Sequence, residues 1–284
     1  MIYVSSNCLK TPGDIAGRTS RYERLGFTGI ELTGGFSYVD DVETVIDTVI
    51  EGSPSAFRLH NYFPAPEQPI VLNLASTDRD TLKASRDMVT RALKISDRNL
   101  CGKFGAHAGF AIDIPVDQIG KKITRQNLVP RADVEAVFAE SLDVIRELGS
   151  ETQFYIENNV LSSANYREFG TNPFLCTDAD AILPWIESHG IKLLLDVAHL
   201  KVSCQSLGLN FKEQLELLWP RADYLHLSDN NSFADENKGI SRDSELYAYL
   251  ADLPWEGKTA TLEVYSGEED LLETNRLISE LMNA

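Results

Sequence analysis

The sequence lacks a long apolar run, a close cysteine pair and a leader-like start. No stretch approaches the roughly 20 apolar residues that span a bilayer, and residues 1–5 do not form the basic segment and apolar core of a signal peptide. The four cysteines, Cys8, Cys101, Cys176 and Cys204, are widely spaced and form no Cys-x-x-Cys motif, which argues against a zinc ribbon or a redox dithiol. These absences predict a cytoplasmic protein with reduced thiols and no membrane partner.

Positive charge is also scarce. The chain has 26 Lys and Arg against 43 Asp and Glu, a formal net charge of −17. A field of this sign repels phosphate backbones, so nucleic acid is not an expected partner. No glycine-rich phosphate loop stands at a strand-to-helix turn, which argues against ATP or nicotinamide as a cofactor. The hydrophobic content of 43% is ordinary for a globular protein with a large core.

The most informative stretch that is present is the apolar run at residues 192–199, which reads Lys-Leu-Leu-Leu-Asp-Val-Ala-His. So apolar a run predicts a strand buried on both faces. Its polar groups, Asp196 and His199, come only at the carboxyl end, where the active sites of parallel α/β folds collect. Both are therefore candidate site residues.

A pattern of strand, loop, helix and glycine stop repeats along the chain. Eight units over 284 residues give about 35 residues per unit, which predicts a single-domain α/β fold over residues 1–284, a (β/α)8 TIM barrel. The predicted strands lie at residues 2–4, 29–32, 56–60, 103–107, 153–159 including its loop, 191–197, 223–229 and 259–264. The long connection at 109–130 is either a lid over a site or an elaborated surface loop.

Polar side chains gather at the ends of these strands: Glu31, His60, His107, Glu157, Asp196 with His199, His226 with Asp229, and Glu263. Four of the five histidines belong to this set. The fifth, His189, falls at a helix terminus and is read as a cap. For Glu31 the expected role is an ion pair with Arg58 on the next strand rather than a bond to a substrate hydroxyl.

Three acids at one rim, Glu157, Asp196 and Glu263, need neutralisation, because desolvated carboxylates are costly and repel one another. A divalent metal provides it. Together with the imidazole of His226, the three carboxylates suit Mn²⁺, Mg²⁺ or Co²⁺ in an open octahedron with room for substrate oxygens. The alternative is that each acid bonds to backbone or to a lysine such as Lys201.

Four strand endings, at residues 156–158, 195–199, 225–229 and 262–263, resemble those of the xylose-isomerase-like barrel superfamily. This superfamily holds sugar and sugar-phosphate isomerases and epimerases together with endonuclease IV-type repair enzymes. The resemblance extends over essentially the whole chain. It implies one divalent metal held by four side chains, Glu157, Asp196, His226 and Glu263.

In the isomerase and epimerase branch, the resemblance further implies that Glu157 and Glu263 act as an acid/base pair on opposite faces of the substrate carbon. The reaction would pass through an enediolate of a sugar or sugar derivative, the expected small-molecule partner. The other expected substrate-binding side chains are His60, His107, His199, Lys201 and Tyr62. Lys201 would meet an anionic group, and Tyr62 would stack on a sugar ring; a surface lysine and loop packing are the alternatives.

The endonuclease IV branch implies a cluster of three zinc ions. The resemblance would assign seven residues to it: His60, His107, Glu157, Asp196, His199, His226 and Glu263. Asn237 departs from that pattern, because it stands where a histidine ligand is expected. Because all seven residue types are present, a metal-dependent hydrolase remains an alternative despite Asn237. A non-catalytic sugar-binding barrel is a further alternative. The sugar, the choice between isomerisation and epimerisation, and the formation of a homo-oligomer stay open.

Overall fold

The computed structural model describes residues 1–9 and 13–284. Its central feature is a barrel of eight parallel strands that closes in chain order, each strand pairing with the next and the last with the first. The strands are β1 (Ile2–Ser5), β2 (Gly29–Leu32), β3 (Ala56–His60), β4 (Lys103–His107), β5 (Gln153–Glu157), β6 (Lys192–Asp196), β7 (Tyr224–Leu227) and β8 (Thr259–Leu262). The predicted TIM barrel is confirmed.

Helices connect successive strands. They are α1 (Ile15–Arg24), α2 (Val42–Glu51), α3 (Arg79–Arg98), α4 (Arg131–Glu147), α5 (Ser163–Phe169), α6 (Ala179–His189), α7 (Val197–Leu207), α8 (Phe211–Leu218), α9 (Glu245–Ala251) and α10 (Glu268–Met282), with short 3-10 turns at Val116–Gln118 and Trp219–Arg221. None of the helices in the described ranges combines the length and apolarity that crossing a membrane requires.

Two helices are absent from the sequence prediction. Helix α5 has only seven residues, too few for a periodic pattern. Helix α7 begins directly after β6, and Asp196 caps it by accepting a hydrogen bond from the backbone N–H of His199. Seven of its eleven residues are buried, so it lacks the polar face by which a surface helix is recognised.

The barrel interior is filled by side chains rather than left as a channel. Tyr155, Leu194 and Tyr224 form a buried apolar cluster inside it. Gly105 makes room for this packing, since a Cβ there would lie 2.5 Å from Leu194 Cδ2 and 3.2 Å from His60 Cδ2. This close approach explains a glycine in the middle of β4.

Strand register places the candidate residues side by side at the carboxyl end. His107 pairs with Glu157 across β4 and β5, and Asp196 pairs with His226 across β6 and β7. The backbone N–H of Glu263, directly after β8, donates to the carbonyl of Leu227. Parallel pairing thus aligns strand ends that are far apart in sequence.

Candidate metal centre

Three acids and a histidine converge at the carboxyl end of the barrel. Glu157 Oε1 lies 3.3 Å and Glu263 Oε2 lies 3.6 Å from the same atom, His226 Nδ1. Potential ligand atoms of Glu157, Asp196 and His226 all lie within 4.8 Å of one another. All four side chains are buried, and Glu263, with 8% exposure, is the most open of them. The structure therefore places the predicted ligands around His226, with Glu157 and Asp196 in one group of possible ligands and Glu263 in a second group that shares His226.

Histidines are the only cationic partners of these acids in the described part of the chain. Within residues 1–9 and 13–284, no lysine or arginine nitrogen forms an ion pair with Glu157, Asp196 or Glu263. The alternative role, in which each acid pairs with a nearby lysine, is therefore not the one that the structure shows. Neutralisation therefore falls to the imidazoles: burial lowers the pKa of His226, but the carboxylates of Glu31 and Glu263 raise it well above its usual value.

Glu157 is the centre of the cluster because its two oxygens face different imidazoles. Oε1 faces His226, whereas Oε2 accepts a hydrogen bond from His60 Nε2 at 2.9 Å and lies 3.3 Å from His107 Nδ1. Burial raises the pKa of Glu157, but the charges of His107 and His60 and bonds from His226 and His60 outweigh it and hold the pKa well below its usual value. Glu157 is therefore ionised near neutral pH.

Glu31 is a site residue whose partner the sequence prediction got wrong. Its expected partner, Arg58, instead donates to Thr259 Oγ1 at 2.9 Å and stacks 3.9 Å above the ring of Tyr3. Glu31 Oε1 lies 2.8 Å from His226 Nε2. The other oxygen of Glu31 accepts hydrogen bonds from Thr261 and Tyr224.

The environment keeps Glu31 ionised. Burial raises its pKa, but the charges of His226 and His60 and the hydrogen bond from the Thr261 hydroxyl lower it by more, and the resulting pKa is about 2. His226 therefore lies between Glu31 on its Nε2 side and the two catalytic candidates, Glu157 and Glu263, on its Nδ1 side. In the sequence, the position of Glu31 near the carboxyl end of β2 is the signal that marks it as a site residue.

His199 sits in the first turn of α7. Its Nδ1 lies 3.0 Å from the carbonyl of Asn158, which leaves Nε2 facing Asp196 Oδ2 and Asp235 Oδ2, each 3.5 Å away. Asn237 Nδ2 donates to Asp235 Oδ2 at 3.0 Å. Asn237, which departs from the nuclease pattern, thus holds Asp235 beside His199.

The pKa values of Asp196 and His107 reflect how strongly the acids compete for positive charge. Burial, with the nearby carboxylates of Glu157 and Asp235, raises the pKa of Asp196 to about 7. Burial lowers the pKa of His107 to about 4, so its imidazole is neutral near pH 7. An uncharged imidazole and a carboxylate that shares its proton are groups that a cation would organise.

The donor set fits a divalent ion. Nδ1 of His226 lies between Glu157 Oε1 and Glu263 Oε2, and Nδ1 of His107 is buried 3.3 Å from Glu157 Oε2 without a well-aligned hydrogen bond. When deprotonated, both nitrogens would present lone pairs to a cation. Lone pairs of this kind, beside three carboxylates, match the hard or borderline ions Mn²⁺, Mg²⁺ and Co²⁺. Glu157, Asp196, His226 and Glu263 would hold the ion.

The remaining predicted substrate contacts divide into two groups. Tyr62, His107 and His199 line a cavity of about 320 Å³ that opens beside the centre. Lys201 Nζ instead donates to Asp229 Oδ1 at 2.5 Å and to the carbonyl of Asn230 at 2.9 Å. The ammonium group of Lys201 thus anchors the loop after β7, and a contact with an anionic substrate stays a prediction.

No protein-family model matches the chain, and no curated protein matches it. Solved structures match over nearly its full length. A D-tagatose 3-epimerase-like protein is 15% identical with a TM-score of 0.71, covering 99% of this chain and 97% of that chain. A 3-keto-D-glucoside 4-epimerase from E. coli is 12% identical with a TM-score of 0.68, covering 100% and 99%.

Endonuclease IV from Thermus thermophilus is 13% identical with a TM-score of 0.60, covering 99% of this chain and 98% of that chain. These neighbours and this chain share the (β/α)8 barrel fold. At such identities the similarity concerns the fold, and the choice between the two branches rests on the site.

Proposed function

We propose that this protein is a divalent-metal-dependent epimerase or isomerase of a sugar or sugar derivative. The observation that carries the proposal is the approach of Glu157 and Glu263 to one imidazole nitrogen, at 3.3 and 3.6 Å. The similarity of the fold to a D-tagatose 3-epimerase-like protein and to a 3-keto-D-glucoside 4-epimerase supports the same chemistry.

A divalent ion bound at this centre would polarise the substrate carbonyl and stabilise the negative charge that builds on its oxygen. One glutamate takes the proton from the neighbouring carbon: the C–H bond breaks, its electron pair moves toward the carbonyl, and an O–H bond forms on the carboxylate. The other glutamic acid returns a proton to the opposite face, which inverts that carbon. The direction of reaction decides whether Glu157 or Glu263 acts as the base.

Neighbouring side chains position this pair. His60 donates to Glu157 Oε2 and so fixes the rotation of that carboxylate. Glu31 fixes the ring of His226 from the Nε2 side and keeps Nδ1 directed toward Glu157 and Glu263. Glu31 is therefore a positioning residue, in the manner of carboxylate–histidine pairs behind metal ligands.

Sugar hydroxyls would be bound by two imidazoles at the inner end of the cavity. His107 is neutral near pH 7, so one of its ring nitrogens can accept a hydrogen bond from a hydroxyl. His199 is held at Nδ1 by the Asn158 carbonyl and presents Nε2. The cavity is of the size that encloses small ligands, and its enclosure limits water at the reacting carbon.

The test is hydrogen exchange at the carbon next to the carbonyl, followed by NMR in D₂O with Mn²⁺ and either a free ketohexose or a keto-glucoside. Glu157→Gln and Glu263→Gln should each reduce exchange by roughly 10²–10⁴-fold, because general acid–base catalysis contributes about that much. Asp223→Asn, an acid at the opposite end of the barrel, is the matched control and should leave exchange unchanged. Exchange that survives both glutamine variants would contradict the assignment.

A metal-dependent hydrolase of the endonuclease IV type is the second candidate. His60 belongs to one group of possible ligands with Glu31, His226 and Glu263, and His107 belongs to another with Glu157 and His199, which favours more than one ion. Asn237 in place of an imidazole and the charge of −17 oppose it. Two or three zinc ions per chain with cleavage of abasic DNA would establish the hydrolase, whereas sugar binding without exchange would establish a non-catalytic barrel.

A further inference from the structure

The cavity beside the metal centre has an outer part that is largely apolar. Its walls come from the β3–α3 connection, the long β4–α4 connection, α5 with the segments on both sides of it, and the loop after β7. The apolar side chains that line it are Val71, Phe110, Ile114, Ile119, Ile123, Val160, Phe174 and Phe233. Phe110 and Phe174 pack edge to face with ring centroids 5.1 Å apart, and Phe233 at the rim is 56% exposed.

The polar side chains of the outer part, which include Lys121 and Lys122, are already bonded to the protein. Lys121 Nζ donates to the carbonyl of Asp117 at 3.0 Å, and Lys122 Nζ pairs with Glu168 Oε2 at 2.8 Å. Both amide hydrogens of Asn159 are used, because its Nδ2 donates to the carbonyls of Gly109 and Leu175. Asn165 accepts from the Ile123 N–H at 2.8 Å and donates to the carbonyl of Lys121 at 3.2 Å. These bonds fasten the connection in place and leave an apolar surface toward the cavity.

The inner end presents the opposite character. His107 Nδ1 and Asp235 Oδ1 are buried and make no hydrogen bond to the protein. His199 Nε2 faces the same space and is 3.5 Å from its nearest carboxylate oxygens. Unbonded polar atoms therefore collect next to the metal centre, whereas the outer wall offers few.

A free sugar does not match this division. It carries hydroxyls on every side, and a hydroxyl buried against an apolar wall loses its bonds to water without replacement. A ligand with a polar end and an apolar end matches both parts. Flat rings suit a wall that includes three phenylalanines, because aromatic pairs gain energy beyond the area that they bury.

We propose that the substrate is a keto sugar that carries an aromatic aglycone, with the sugar at the inner end and the aryl group against Ile119 and Phe233. The inference rests on the proposed function and names its substrate class. It places specificity in the β4–α4 connection and in the loop after β7, outside the metal ligands.

The test compares phenyl and methyl 3-keto-D-glucosides, which share the reacting sugar and differ only in the aglycone. Calorimetry with the Mn²⁺-loaded full chain should give a Kd roughly tenfold lower for the phenyl compound, because burying a ring yields at least the energy of one decade in affinity. Phe233→Ala should bring this ratio of Kd values down by several-fold. Leu217→Ala, which alters a 51% exposed leucine on α8 that does not line the cavity, should keep the ratio.

Equal affinity for the two glycosides, or failure of both to bind, would overturn the inference. So would a Phe233→Ala variant that weakens both compounds to the same extent, since the ring would then serve only to close over the sugar. Failure of the proposed function has a separate signature. In that case the phenyl compound still binds more tightly, but neither compound exchanges its carbon-bound hydrogen in D₂O.

Discussion

Lys103 at the amino end of the barrel donates to Asp223 Oδ1 at 3.0 Å, and Lys258 donates to the carbonyls of Trp219 and Ala222 at 2.8 and 2.7 Å. At the carboxyl end, Glu157 and Glu263 both approach one imidazole nitrogen, His226 Nδ1. The amino end thus pairs each ammonium group with acceptors. The carboxyl end gathers carboxylates around histidines.

This difference separates a structural polar cluster from a functional one. Charges that are paired and hydrogen-bonded close the barrel and need nothing further. Carboxylates held together in a buried place favour a bound ligand or cation, and strongly shifted pKa values are common at such places. The pKa of Asp196, raised to about 7 by burial and by neighbouring acids, belongs to this second kind.

The largest effect is expected at the carboxyl end, from removal of the imidazole on which the acids converge. His226→Ala leaves Glu31 and Glu157 buried without their shared partner, so we expect the metal-free protein to lose about 3–5 kcal/mol of unfolding free energy. Mn²⁺ binding should also disappear. Urea unfolding and calorimetry measure the two effects, and unchanged Mn²⁺ affinity would contradict the assigned centre.

A smaller effect on Mn²⁺ binding is expected from Glu31, which contacts the ligand His226 but does not itself bind the ion. Glu31→Gln keeps the shape of the side chain but removes the charge beside His226 Nε2, so Mn²⁺ affinity should fall by roughly 10–100-fold. Calorimetry on the folded variant measures this. Affinity equal to that of the parent chain would show that Glu31 only fills space inside the barrel.

The smallest effect is expected at the amino end. Asp223 is half exposed, so Asp223→Asn should cost about 0.5 kcal/mol at pH 7 and leave Mn²⁺ affinity unchanged. Burial raises the pKa of Asp223, but bonds from Lys103 and Tyr155 lower it more, to below its usual value. The stabilisation is therefore present above about pH 4, the unfolded value, and is lost as pH falls through the folded pKa.

Urea unfolding of the parent chain and Asp223→Asn between pH 7 and pH 3 checks that sign. The stability difference between the two proteins should shrink toward the acid end. A difference that grows on acidification would mean that Lys103 does not stabilise the ionised carboxyl.

Much of the barrel follows from the sequence because buried parallel strands are apolar throughout and polar only where they end. Asp196 and Glu157 were predictable for this reason, since each closes such a run. Helix α7 was not, because its apolar surroundings remove the periodic pattern that marks a helix.

The partner of Glu31, His226, could not be predicted from the sequence either. Arg58 is its neighbour in strand register, yet barrel closure brings β7 within reach across the interior, and His226 takes that place. Contacts across a closed barrel depend on which side chains fill its layers, and spacing along the chain does not report this. The cavity wall built by residues 109–130 likewise depends on tertiary packing.

The most direct test of the metal centre is anomalous diffraction at the manganese edge from crystals grown with Mn²⁺. The structure predicts one strong peak within coordinating distance of carboxylate oxygens of Glu157, Asp196 and Glu263 and of His226 Nδ1. A map without a peak at that position, or with these four side chains turned to separate partners, would contradict the shared centre.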